Sequence, residues 1–148
     1  ITYLDDMHML DLSSPTWTSS GTTSRNSRRP GKRAACLLWA VENAVFLYGG
    51  TRPKAKGSEK LEVFSDLWRG AIEPSPSGSA WNVSWEVVTP SGEGPGKRTG
   101  LCHCSVSVAT PHKRIVFGGV QDLNRLSAEG KRETELALFH NDLFLLDC

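Results

Sequence analysis

The sequence contains no long hydrophobic run, and its charges of opposite sign almost cancel. No apolar stretch approaches the roughly 20 residues that a membrane-spanning helix requires. Seventeen basic side chains stand against 16 acidic ones in 148 residues, which gives a formal net charge of +1. No overall electrostatic field therefore favours nucleic acid or a membrane as a partner, and we expect neither.

Motifs for phosphate binding, metal binding and catalysis are also lacking. Neither a Gly-x-Gly-x-x-Gly nor a Walker pattern occurs. Cys102-His103-Cys104 has the residue types of a metal site, but on a strand the two cysteines point to one face and His103 to the other. The same geometry separates a cysteine nucleophile from a histidine base. The sequence thus predicts no metal site, no cofactor and no catalytic residue.

Cysteine is scarce, with only four residues at positions 36, 102, 104 and 148. None of these positions forms a Cys-x-x-Cys pair. We expect the four cysteines to be small, reduced core residues, as is typical of a reducing compartment. This interpretation predicts a cytoplasmic protein.

What the sequence does contain is an internal repeat. One copy has Pro-Gly-Lys-Arg at 30–33, Gly-Gly at 49–50 and Ser-Asp-Leu-Trp at 65–68. The next has Pro-Gly-Lys-Arg at 95–98, Gly-Gly at 118–119 and Asn-Asp-Leu-Phe at 141–144. A partial copy near the start has Asp-Asp-Met at 5–7, followed by Trp17. A period of roughly 50 residues or more is typical of a four-stranded propeller blade with variable loops, and a helical repeat would be nearer 34.

The order of these landmarks resembles the kelch repeat of β-propellers. Within that family, residues 85–147 are most similar to the eukaryotic kelch domain-containing protein 4 group. The matching words are Thr-Pro-Ser-Gly at 89–92, Phe-Gly-Gly-Val at 117–120 and His-Asn-Asp-Leu-Phe at 140–144. The resemblance implies a propeller fold, and it is less specific for activity because one fold hosts many functions.

Together, the repeat and the resemblance predict an all-β fold, a kelch-type β-propeller fragment of about two and a half four-stranded antiparallel blades. The predicted parts are the outer half of one blade at 1–19, an interblade loop at 20–32, a full blade at 33–89 and most of a third blade at 98–148. Because blades narrow toward their axis, we expect small side chains on the inner strand 33–41, which includes Ala34, Ala35 and Cys36. A short helix is expected across 133–139.

The first candidate binding residues are Arg33 and Arg98. Each follows a Pro-Gly-Lys turn and begins an expected inner strand. The resemblance implies a position near the mouth of the central channel, where kelch adaptors often carry an arginine that binds acidic peptides. A guanidinium group recognises carboxylates bidentately. The alternative is that each arginine is tied to a carboxylate or to the carbonyl groups of a neighbouring blade.

A second set of candidates lies in the basic loop 51–62, where Arg52 and Lys54 are expected on the surface. The predicted function is a non-catalytic protein-interaction module that binds a peptide or protein partner, acidic partners being favoured. One alternative is an oxidase-like propeller enzyme, for which only Tyr3 and Tyr48 could supply tyrosine ligands. The other is a set of purely structural blades in a larger scaffold. Uncovered blade faces lead us to expect that the isolated chain self-associates.

Overall fold

The computed structural model describes five segments of the chain, namely residues 3–19, 28–58, 60–75, 81–122 and 137–147. These segments form only strands, turns and irregular loops, with no helix. Accordingly, none of them offers a helix long and apolar enough to cross a membrane. The strands are β1 (His8–Asp11), β2 (Thr16–Ser19), β3 (Leu37–Val41), β4 (Ala44–Tyr48), β5 (Thr51–Pro53), β6 (Leu61–Val63), β7 (Leu67–Pro74), β8 (Trp81–Val88), β9 (Cys102–Ser107), β10 (Thr110–Phe117), β11 (Val120–Asp122), β12 (Ala137–Phe139) and β13 (Leu143–Asp147).

The described strands form small antiparallel sheets, none of which closes on itself. The largest has four strands in the order β3-β4-β7-β8. The next has three strands in the order β13-β10-β9. Three two-stranded ribbons, β1-β2, β5-β6 and β11-β12, complete the set. The prediction of an all-β fold is confirmed.

The two larger sheets are built in the same way. In each, a hairpin of two strands is followed by a small ribbon and then by a third strand that pairs with the second. An isolated β-bridge ties each ribbon to the segment before the first strand, Ala34 with Thr51 and Thr99 with Val120. The repeat in the sequence is therefore also a repeat in the structure.

A glycine pair ends the second strand of each repeat, as the sequence predicted. Gly49 and Gly50 have φ of 66° and 96°, and Gly118 and Gly119 have φ of 71° and 91°. These left-handed conformations favour glycine because a Cβ atom would be strained there. Gly50 also lies so close to its neighbours that an added Cβ would meet the Ala34 carbonyl oxygen at 2.9 Å.

The apolar core lies between the two larger sheets. Its main members are Leu37, Trp39, Phe46, Tyr48 and Leu67 from the four-stranded sheet, with Val116, Phe144 and Leu146 from the three-stranded sheet. The rings of Trp39 and Phe46 stack, with centroids 5.5 Å apart and 7° between their planes. On β3 the buried Leu37 and Trp39 alternate with exposed residues, which is the period expected of a strand. Burial of these side chains is the main stabilising contribution to the stack.

The first strand of the four-stranded sheet begins later than the sequence predicted. Strand β3 starts at Leu37 and not at Arg33, because Ala35 has a left-handed φ of 53° that interrupts an extended chain. The small residues Ala34 to Cys36 therefore precede the strand. The expectation of small side chains on this strand is wrong, since packed sheets lie roughly 10 Å apart and leave room for Trp39 between them.

Two other expectations are also wrong. Cys102 and Cys104 are exposed and Cys36 is only partly buried, so these three are not core residues; position 148 lies outside the described residues. The two exposed cysteines share the sheet face opposite to that of His103, which packs on Trp39.

The expected helix is not formed over Ala137–Phe139. These residues form strand β12, because they pair with β11; residues 133–136 lie outside the described part.

Candidate functional site

Arg33 is held inside its own repeat by Asp66. Its Nη1 donates to Asp66 Oδ1 at 2.7 Å and its Nη2 to Oδ2 at 3.1 Å. Nη1 also donates to the Gly49 carbonyl at 2.9 Å, and Cζ lies 4.2 Å from the centroid of the Phe64 ring. The Arg33 side chain is only 5% exposed. This bidentate fork joins the start of the repeat, its glycine pair and its third strand.

Arg98 makes the same two polar contacts in the next repeat, to an aspartate and to the first carbonyl of a glycine pair. Both of its Nη atoms donate to the carboxylate of Asp142, the Nη2 bond being 3.2 Å long. Nη1 also donates to the Gly118 carbonyl at 3.2 Å, and the Phe144 ring centroid lies 5.4 Å from Cζ. The Arg98 side chain is 9% exposed. We call the pairs Arg33–Asp66 and Arg98–Asp142 the arginine braces.

These contacts match the alternative raised by the sequence, with one difference. The partners of each arginine belong to its own repeat and not to a neighbouring one. The donors of the two guanidinium groups are thus largely occupied by internal acceptors. Each brace fixes the conformation of its repeat, and neither arginine projects freely into solvent.

The braces also set the charge of both aspartates. Burial tends to raise the pKa of Asp66, but hydrogen bonds from Arg33 and from Trp68 Nε1 outweigh it and hold that pKa below 3.8. The Trp68 bond to Asp66 Oδ2 is 2.5 Å long. For Asp142, the hydrogen bond from Arg98 lowers the pKa, against a smaller opposing effect of burial. Both carboxylates are therefore ionised at neutral pH.

Acid should weaken both braces. Because the pKa of Asp66 and of Asp142 is lower in the folded chain than in the unfolded chain, the unfolded chain binds more protons at acid pH. The stabilisation is complete above the unfolded pKa of about 3.9 and is lost as pH falls through the lower, folded pKa. We expect Asp66→Asn to be less stable than the unmodified chain at neutral pH and to lose less further stability on acidification. Urea unfolding between about pH 6 and pH 2 measures this, and an equally steep fall for both proteins would contradict it.

Of the other two predicted residues, Arg52 lies on strand β5 and Lys54 follows directly after that strand. Arg52 Nε donates to Glu62 Oε2 at 2.8 Å, and its Cζ lies 5.2 Å from the Phe64 centroid. Phe64 therefore contacts both Arg33 and Arg52, which the structure brings together, whereas Arg98 lies in the separate second brace. Lys54 is exposed, and its backbone N–H donates to the Lys60 carbonyl at 2.9 Å. We define the basic ribbon as Arg52, Lys54, Lys56 and Lys60, of which the three lysines are exposed.

A cleft of about 400 Å³ lies between the segment before β1 and one face of the four-stranded sheet. Its apolar lining includes Leu47, Val83 and Trp85. The Asp, Arg and His side chains that line it are paired with one another or with Asp66: Arg29 with Asp5, His8 with Asp6, and Arg33 with Asp66. The cleft can thus hold an apolar group, but its Asp, Arg and His side chains already have partners within the chain.

Arg114 and His103 make contacts that the sequence analysis did not predict. The buried Arg114 donates from Nη2 to the Ala40 carbonyl at 2.9 Å and from Nη1 to the Ser105 hydroxyl. His103 Nε2 lies 3.1 Å from the Leu38 carbonyl oxygen, so that nitrogen carries the proton. Both carbonyls belong to β3, an edge strand, and their occupation by side chains protects that edge. The sequence holds one signal for the role of Arg114. Arg114 lies two residues before the buried Val116, so both side chains are on the same face of β10.

These features define an all-β repeat protein whose repeats each contain an internal arginine brace. A scan against protein-family models finds no match for the chain. Within the described residues, no group of three or more His, Cys, Asp or Glu side chains is arranged to hold a metal ion. Among the described residues, three exposed lysines lie between β5 and β6, within the basic ribbon.

Proposed function

We propose that the chain is part of a kelch β-propeller and acts as a non-catalytic protein-interaction module. The observation that carries the proposal is that two successive repeats share strand order, glycine pair, ribbon and arginine brace, and pack sheet against sheet. Propeller blades stack in this manner. In this proposal the blades comprise residues 33–89 and 98–148, preceded by an outer half-blade at 1–19. The exposed thiols Cys102 and Cys104 favour a reducing compartment such as the cytoplasm.

The basic ribbon is the proposed contact surface. Three exposed lysines lie between β5 and β6, and these two strands are fixed by the Thr51–Ala34 bridge and by the Arg52–Glu62 pair. A rigid ribbon binds with a small entropic cost, and its charge selects acidic peptides or proteins. Arg33 contributes indirectly, because it fixes Phe64 beneath Arg52. In the next repeat, Arg98 binds the Gly118 carbonyl and the Asp142 carboxylate.

Binding should depend on the charge of the basic ribbon. A library of random peptides displayed on phage, selected on the 148-residue chain, should yield peptides enriched in Asp and Glu. For such peptides, we expect the Arg52→Gln/Lys54→Glu double variant to raise the dissociation constant about tenfold or more, with a marked salt dependence. Isothermal titration calorimetry measures the change.

The matched control is Lys113→Glu, which changes a partly exposed lysine on the other larger sheet. It should leave the dissociation constant within about twofold. Selected peptides without acidic enrichment, or unchanged binding by the ribbon variant, would rule out this surface.

The purely structural alternative has one observation in its favour. Both channel-mouth candidates, Arg33 and Arg98, are buried and engaged by internal carboxylates. A scaffold needs such braces even if its blades bind nothing. The selection experiment separates the two functions, because a structural chain would enrich no acidic peptide.

A further inference from the structure

The three-stranded sheet has one uncovered apolar face. It carries Cys102, Cys104, Val106, Phe117, Leu143 and Leu145, all of them exposed. We call this set the tail face. No described residue packs over it, although its aromatic and aliphatic side chains would be stabilised by burial.

The equivalent face of the four-stranded sheet is buried within the same chain. Leu67 and Leu143 each follow the aspartate of a brace, yet Leu67 is 3% exposed and Leu143 is 61% exposed. Tyr48 and Phe117 each precede a glycine pair, and they are 8% and 44% exposed. Counting the same number of positions from Arg33 and from Arg98 also pairs the buried Trp39 with the exposed Cys104. What covers the first face is the next sheet of this chain, through Val116, Phe144 and Leu146.

The ribbon β1-β2 exposes a surface that resembles the one with which the three-stranded sheet covers the four-stranded sheet. On the ribbon β1-β2, Leu10 and Trp17 are cross-strand partners on one face, and Trp17 is 67% exposed. We call this pair the head face. Leu10 follows Asp6 by the same number of positions as Leu146 follows Asp142. Leu146 packs against the core between the two larger sheets, whereas its counterpart Leu10 is 39% exposed.

We propose that the tail face binds the head face of a second copy of this chain. The contact repeats between two molecules the sheet-on-sheet packing that exists within one, with Leu10 taking the place of Leu146. The contact is heterologous: the tail face of one molecule meets the head face of the next, so assembly proceeds head to tail. The proposal goes beyond the protein-interaction function, since it does not involve the basic ribbon.

Sedimentation velocity of the 148-residue chain tests the proposal directly. The unmodified chain should associate as its concentration rises, through dimers to longer assemblies or a closed ring. Leu145→Asp places a charge in the tail face, and Trp17→Asp places a charge in the head face. Each should raise the dissociation constant about tenfold or more, because a carboxylate would be buried in an apolar contact.

An equimolar mixture of the two variants gives the decisive result. Each variant retains one intact face, so the mixture should form a heterodimer and stop there, whereas each variant alone stays monomeric. The controls are Leu12→Asp and Val108→Asp, which change exposed apolar residues in the turns beside the same strands and should associate like the unmodified chain. Circular dichroism checks folding, and Phe117→Asp and Leu10→Asp replace any variant that fails to fold.

Three outcomes would overturn the proposal. The first is an unmodified chain that stays monomeric up to the limit of its solubility. The second is a folded Trp17→Asp variant that associates like the unmodified chain, which would indicate contact between two tail faces. The third is a mixture of the two variants that remains entirely monomeric.

Discussion

We expect Trp39→Ala to lower the free energy of unfolding by about 3–5 kcal/mol, the largest loss for a single side chain in the described core. Trp39 is buried between the two larger sheets, stacks on Phe46 and contacts the His103 ring. Its removal leaves a cavity that the strands on either side cannot close without losing their hydrogen bonds. Urea unfolding followed by circular dichroism, at one fixed protein concentration, measures the loss.

Trp39→Phe is the matched control. It keeps an aromatic ring against Phe46 and removes the indole Nε1, a buried donor with no hydrogen-bond partner among the described residues. Removing an unpaired buried donor is stabilising and offsets part of the stability lost with the smaller ring. We therefore expect the free energy of unfolding to change by no more than about 1.5 kcal/mol. Equal losses for the alanine and phenylalanine variants would show that the two sheets are not held together at this position.

We expect Arg33→Ala to lower the free energy of unfolding by about 2–3 kcal/mol. The substitution leaves the Gly49 carbonyl and the Asp66 carboxylate without their charged donor. Asp66 is 30% exposed, and water that reaches its carboxylate keeps the loss at or below about 3 kcal/mol, the lower limit for breaking a buried ion pair. Arg33→Lys should recover only part of this stability, because an ammonium group does not form the bidentate fork.

An exposed ion pair on the same sheet is the control for this prediction. Arg69 Nη1 donates to Glu86 Oε1 at 2.9 Å, and both side chains are largely accessible. Arg69→Ala should therefore cost no more than about 0.5–1 kcal/mol. The Arg33→Ala/Asp66→Ala double variant should show a coupling energy of about 1–2 kcal/mol, and a coupling of zero would contradict the brace.

The regular part of the fold could be predicted because its signals are local. Gly-Gly at 49–50 and at 118–119 marks the end of the second strand of each repeat, since left-handed backbone favours glycine. Alternating apolar residues mark the strands, and the repetition of both signals predicts the repeat in the structure. The prediction of β3 failed at its start, where Ala35 adopts a conformation that its residue type does not indicate.

The candidate site could be predicted in its members but not in its contacts. Arg52 and Lys54 were identified from position and charge, and Arg33 and Arg98 from their place in the repeat together with the resemblance. The sequence did not show that Asp66 and Asp142 engage the two arginines, because these partners are distant along the chain and meet only when the third strand pairs with the second. Similarly, the spacing of Cys102 and Cys104 placed them on one face, but it could not show which face of the sheet is buried.

By itself, the sequence determined the all-β class, the repeat and the positions of the glycine turns, because these depend on backbone preference and on alternation within a few residues. Only the tertiary structure decided which arginines are engaged by carboxylates, and which sheet faces are covered. Both depend on contacts between residues that are far apart in the chain. The same residue type at equivalent positions is therefore buried in one repeat and exposed in the next, as Leu67 and Leu143 are.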